Sequence, residues 1–119
     1  MKESILKNKS YDFALRILKL HRHLIKESKE FVLSKQILRS GTSVGANIEE
    51  ANQAQSKADF IHKLSIALKE ASETNYWLRL LRDGDILEPR LADSILSDCE
   101  EIQRMLTASI KTSKANAPK

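Results

Sequence analysis

At 119 residues the chain has room for one domain with a useful core and not for two independent ones. A hydrophobic fraction of 41% suits a globular protein, and an aromatic fraction of only 5% leaves most packing to Leu, Ile and Ala. The single cysteine excludes an internal disulfide, and no N-terminal apolar run resembles a signal peptide or a membrane span, so a cytoplasmic protein without a membrane partner is expected.

Three glycines and two prolines leave long stretches free of breakers, and β-branched residues never alternate with polar ones, so strands are not expected. Met1–Lys9 is polar and lysine-rich and reads as a flexible basic arm. Ser10 is a candidate N-cap for a first helix with Asp12 near its positive end. Along that helix Tyr11, Ala14, Ile17, Leu18, His21, Leu24 and Ile25 share one side. Arg16, Lys19, His23 and Lys26 recur three and four apart on the other, which predicts a basic outer face.

A second helix is predicted from Ser28–Phe31 to about Ala54, with Leu33, Ile37, Val44, Ile48 and Ala51 inward. Each glycine inside a helix costs about 1 kcal/mol against alanine, yet Gly41 and Gly45 fall on the apolar stripe. A continuous helix whose glycines admit another backbone fits this pattern better than a loop. Beside it Ser40, Ser43, Asn47, Glu50 and Ala54 form a row of small or polar groups that need hydrogen-bond partners if buried.

Ser56 followed by Asp59 reads as a capping-box variant opening a third helix that stops at Gly84. Phe60, Leu64, Ala67, Ala71, Leu78 and Leu81 supply its core face. Ile66, Trp77 and Leu80 project from a different side with Glu73, and a second apolar stripe on a bundle helix points to an oligomer interface. Pro89 suits the first position of a fourth helix, in which Leu91, Ile95, Cys99, Ile102, Met105, Leu106 and Ile110 run inward to about Ser113. Lys114–Lys119 reads as a second flexible basic tail. The predicted architecture is therefore all-α, an antiparallel up-and-down four-helix bundle over residues 10–113.

The stretch Gln36-Ile-Leu-Arg-Ser-Gly-Thr-Ser-Val-Gly-Ala-Asn-Ile-Glu-Glu-Ala51, then Ser56-Lys-Ala-Asp-Phe-Ile-His-Lys63 and Ala67-Leu-Lys-Glu-Ala-Ser-Glu-Thr-Asn-Tyr-Trp-Leu78, closely resembles the bacterial four-helix-bundle family of proteins encoded in intervening sequences of 23S rRNA genes. The resemblance implies four helices assembled into a ring-like homopentamer with no established enzymatic activity. A relative, the accessory variability protein of diversity-generating retroelements, works with nucleic acid and a reverse transcriptase through a similar basic pentamer.

Readings that would make the chain an enzyme lack parts. Gly41-Thr-Ser-Val-Gly45 is followed by no Gly-Lys-Ser/Thr and preceded by no strand, so it is not a phosphate loop. Asp59-x-x-His62 is at most one half of a di-metal carboxylate site, and capping already accounts for Asp59. Cys99 lies on an apolar stripe, where a free cysteine acts as a small hydrophobe. His21 falls on the core side of its helix and His23 on the basic row. No cofactor, metal or catalytic residue is expected.

The richest polar seam is Ser43, Asn47, Glu50, Lys69, Glu70, Glu73 and Tyr76, which predicts partners that fix helix register and assembly. An active site using Glu50, Glu73 and Tyr76 is the competing reading, with no reaction attached. The basic row Arg16, Lys19, His23 and Lys26, with Lys2, Lys7, Lys9 and the tail lysines, is either a solvated face or a surface for RNA or DNA phosphates, which ring assembly would repeat. Residues 1–30 carry eight Lys/Arg against four Asp/Glu, whereas residues 85–119 carry five against six. Two functions are expected in that order: a homo-oligomeric interaction scaffold binding itself and an unidentified protein partner, and a nucleic-acid-binding accessory protein acting through the basic row.

Overall fold

The computed structural model describes the backbone of residues 2–116 and the side chains of residues 5–116. Of the two ends expected to be flexible, Met1, the Lys2 side chain and residues 117–119 lie outside the described residues. Four helices, α1 (Lys2–Lys26), α2 (Leu33–Asn52), α3 (Lys57–Asp83) and α4 (Pro89–Ala115), make up the fold, with no strand among the described residues. Each helix packs on its chain neighbours, and α4 closes back on α1. The connections at residues 27–32, 53–56 and 84–88 span at most about 20 Å, too short to return along helices of roughly 30–40 Å. Neighbours are therefore antiparallel, in a rod measuring 52 × 21 × 20 Å.

Helix ends follow local chemistry. The α1–α2 connection turns through Lys29 in the left-handed region (φ 54°), which brings the Glu30 carboxylate back to accept from the Val32 and Ser34 amides at 3.3 and 2.8 Å. Glu30 thus caps α2 from outside, and α2 begins at Leu33, later than Ser28–Phe31 suggests. As expected, Ser56 caps α3, its Oγ accepting from the Asp59 amide at 3.0 Å. At the far end the left-handed residue is Asp85 (φ 60°), while Gly84 sits where a Cβ would lie 2.9 Å from the Leu80 carbonyl oxygen. Close approach rather than a positive φ therefore calls for glycine there. Pro89 is at the start of α4, with Glu88 accepting from the Arg90 and Leu91 amides.

The core rows of α2, α3 and α4 match their expected apolar stripes, with Ile37, Val44, Ile48, Leu64, Ala71, Leu78, Ile95, Cys99 and Leu106 buried. Phe60 and Met105 are only partly buried against that core. In α1 the buried set is Leu6, Ser10, Phe13, Ile17, Leu20 and Leu24. Tyr11, assigned inward from its spacing, is instead 58% exposed, and His21 is half-buried. Nor does the helix start at Ser10: it runs through that residue, whose hydroxyl donates to its own helix at the Lys7 carbonyl, 3.0 Å away. At the other end α4 continues past Ser113 to Ala115.

The rotation of α1 has a physical cause in α2, which is one continuous helix through Gly41 and Gly45. A Cβ at Gly41 would lie 2.8 Å from both Ile17 Cγ1 and Cγ2, and one at Gly45 would lie 3.3 Å from the Ser10 carbonyl oxygen. Ile17 and the Ser10 backbone occupy the space the glycines leave, which turns Tyr11 outward. Gly41→Ala gains about 1 kcal/mol of helix propensity but overpacks the Ile17 site by about 1–3 kcal/mol. Its chemical-denaturation midpoint is expected to fall, and a midpoint at or above wild type would show that α1 is free to withdraw.

Candidate functional site

Between α2 and α3 the seam is built in two levels. At the inner level two buried hydroxyls meet: Thr74 Oγ1 lies 2.8 Å from Ser40 Oγ and 2.8 Å from the Glu70 carbonyl oxygen. Thr74 occupies the position between Ala71 and Leu78 on the core stripe of α3, so a polar group there faces the polar Ser40 of α2. At the outer level Arg39 donates to Glu70 Oε1 at 3.3 Å and to Glu73 Oε2, which also accepts from Trp77 Nε1 at 3.1 Å. Further along, Lys63 Nζ donates to Glu50 at 2.8 Å, and that carboxylate holds the ammonium above its usual pKa.

Of the seven predicted seam residues, Glu70 and Glu73 are therefore brought together, but on Arg39, and Glu50 is paired with Lys63. Ser43 and Asn47 bond within their own helix, to the carbonyls of Arg39 and Ser43 at 2.7 and 2.8 Å. Lys69 is exposed, and Tyr76 stacks edge-on against Trp77 with ring centroids 5.2 Å apart. Arg39, Lys63 and Thr74 are the partners that the pattern alone did not select. Thr74 was legible as the lone hydroxyl in the 67-71-74-78-81 row of α3.

Cys99, Arg82 and Asp83, the groups with shifted protonation outside the seam, are engaged or masked. Burial, reinforced by the charges of Glu100 and Asp98, pushes the Cys99 thiol up to about 12, and its Sγ lies 3.3 Å from the Ala71 carbonyl. At neutral pH it is a protonated core group and a poor nucleophile. Arg82 hydrogen-bonds Asp83 and Asp93, which raises its own pKa and lowers that of Asp83. Among the described residues no three His, Cys, Asp or Glu side chains converge as a metal site; Asp59 is half-buried and His62 exposed. The cavity bounded by Leu6, Ile48, Phe60 and Leu64 on one side and Asn52, Ser109, Thr112 and Ser113 on the other holds about 60 Å³, well below the 300–1,000 Å³ of ordinary ligand pockets, and the larger cleft of about 670 Å³ beside Glu50 and Lys63 is open and lined by polar and charged side chains. No helix among the described residues is long and apolar enough to cross a membrane.

This geometry sits inside the stretch that carried the family resemblance, and the match extends beyond it: the 23S rRNA-intervening sequence protein family matches residues 2–108. The chain belongs to that family. It is also similar to a solved structure from Bacteroides thetaiotaomicron, a protein of unknown function from the S23 ribosomal protein family, at 57% identity and a TM-score of 0.92. The similarity covers 93% of this chain and 99% of the other. No curated protein matches the chain. Neither the family description nor that neighbour names a reaction.

In this family member the basic row divides. Arg16 reaches across to α4, where it donates to Asp98 at 2.8 Å and Ser94 at 3.1 Å, and Lys9 pairs with Glu101 at 2.9 Å. These two residues clasp α1 to α4, while Lys19, His23 and Lys26 are exposed and form none of the ion pairs among the described residues. The predicted interface stripe also divides: Ile66 is half-buried, Trp77 packs partly on the core, and Leu80 remains 40% exposed.

The inner hydroxyl pair yields a stability test. Thr74→Val leaves the Ser40 hydroxyl buried without its partner and is expected to cost about 1–3 kcal/mol. Adding Ser40→Ala to it should recover part of that loss, read as the unfolding free energy of the double variant against the two single ones. Strictly additive losses would mean that the two hydroxyls are not coupled.

Proposed function

We propose that the protein is a non-enzymatic, homo-oligomeric interaction scaffold, assembled as a ring. The observation that carries this reading is the apolar stripe on the outside of α3. Tyr76 and Leu80 are 49% and 40% exposed although the bundle already has a continuous core of its own. Apolar surface gathered on one outer face of a charged protein is characteristic of an association site. The carboxylates beside it, Glu70 and Glu73, are paired with Arg39, and Glu50 further along is paired with Lys63, which favours a rigid packing surface over a reactive one. The family description names no reaction.

A second reading, an accessory protein binding RNA or DNA, is favoured by one observation. Lys19 and His23 rim a groove of about 320 Å³ between α1 and α4, and Lys26 continues the row on the exposed side. In a ring that row is repeated once per subunit, and weak phosphate contacts multiply by effective concentration.

Light scattering of the wild-type protein tests the first reading. The expected mass is a whole multiple of 13.5 kDa, and Leu80→Glu is expected to lower it while the helical circular-dichroism signal is retained. A wild-type protein that stays at 13.5 kDa at high micromolar concentration refutes the scaffold reading. For the second, binding to a mixed RNA pool should weaken steeply with added salt and be lost in Lys19→Glu/Lys26→Glu. Binding that survives that charge reversal rules out this row as the contact.

A further inference from the structure

The edge between α1 and α4 is the least closely packed of the contacts between neighbouring helices. Two cavities open along it, one of about 220 Å³ beside Phe13 and Ile102 and one of about 320 Å³ over Leu20, Leu91 and Ile95. Between them Arg16 reaches across to Asp98 and Ser94. The charges differ on the two sides of that bridge. In the first cavity Lys9 and Arg16 face Asp12, Asp98 and Glu101, so carboxylates outnumber cations. The second is lined by Arg16, Lys19 and His23 and by no carboxylate. Its surroundings keep that sign: exposed Arg22, Lys26 and Arg90 outnumber exposed Glu27 and Glu88, and the Glu88 carboxylate is already held by the Arg90 and Leu91 amides.

We infer that this second groove receives an acidic amphipathic helix of a protein partner, one that places an apolar side chain over Leu20, Leu91 and Ile95 and carboxylates on Lys19, His23 and Lys26. The groove is complete within one subunit, so the inference does not depend on ring assembly. It goes beyond the scaffold reading by giving the chemistry of the partner.

The bundle itself supplies the pattern. On α4, Asp98 and Glu101 stand three residues apart and take Arg16 and Lys9 of α1 at 2.8 and 2.9 Å. Beyond that point α4 offers Ser94 and Leu91 instead. Lys19, His23 and Lys26 continue the α1 row at spacings of four and three and enter none of the ion pairs among the described residues. Residues so spaced lie about 5–6 Å apart on a helix surface, so a second helix laid along the groove meets them with acidic residues three or four apart, as α4 does for Lys9 and Arg16. Opposite charges arranged in this way select the partner and its register. The floor distinguishes this occupant from a nucleic acid. Half-buried Leu91, with Leu20 and Ile95 beneath it, makes an apolar bottom that a phosphate backbone would leave uncovered, whereas an amphipathic helix uses rim and floor together.

A fluorescein-labelled, stapled helical peptide with glutamates three and four residues apart on either side of a leucine serves as the probe, its anisotropy titrated with the full chain. Saturable binding is expected, weakened about tenfold by Lys19→Glu in the protein and by a comparable factor when alanine replaces the leucine of the peptide. The peptide-side change leaves the fold of the protein untouched, so it holds even if Lys19→Glu lowers the helical signal. Leu80→Glu, the variant that tests assembly, is expected to leave peptide binding unchanged, which separates this inference from the scaffold reading. A peptide that does not bind, or whose binding is indifferent to either change, overturns the inference. A mixed RNA pool that binds the wild type where the peptide does not overturns it in favour of the nucleic-acid reading.

Discussion

Where Ile17 and the Ser10 backbone of α1 lie against Gly41 and Gly45 of α2, there is no room at Gly41 for a methyl group without displacing Ile17. This contact fixes how α1 is rotated, and the rotation fixes what the rest of the helix presents. With Ile17 inward, Phe13, Leu20 and Leu24 follow it into the core at helical spacing. Arg16 and Lys9 then fall on the edge facing α4, within reach of Asp98 and Glu101. Tyr11 and Leu15 are left outside. One close approach thereby decides the core, the α1–α4 clasp and the exposed apolar row together.

The helices themselves were readable wherever a single feature marked them. Ser56, Pro89 and the stop at Gly84 are local signals, and the stripes of α2 and α4 each have one apolar face. In α1 the signal is ambiguous because apolar residues occur on more than one side, from Leu6 and Phe13 to Leu15 and Leu18. Spacing alone merged two stripes into one, and only the partner helix separates them. The start of α2 was misplaced for a related reason: its cap is supplied by Glu30 acting through a left-handed turn at Lys29, and neither residue resembles the usual Ser, Thr, Asp or Asn cap.

In the seam, the residue types were visible but not the pairing. Glu50, Glu70 and Glu73 stand out in the sequence as carboxylates near a motif, which invites an acid–base reading. The fold places Lys63 on the first and Arg39 on the other two. A carboxylate already holding a cation at hydrogen-bond distance has its lone pairs engaged, and the pairs are exposed enough that each contributes modestly to stability. Their greater effect is to fix where side chains point. Arg39 spans α2 to α3, Glu73 carries the bond on to the Trp77 indole, and Tyr76 packs on that ring, so charge pairing at the surface orders the aromatic face beside it.

That ordering connects the polar seam to the apolar stripe. A flexible tryptophan on a helix surface would lose rotamer freedom on docking, whereas one already held by a carboxylate and a neighbouring ring gives up less. The seam therefore holds the aromatic face of α3 in one arrangement.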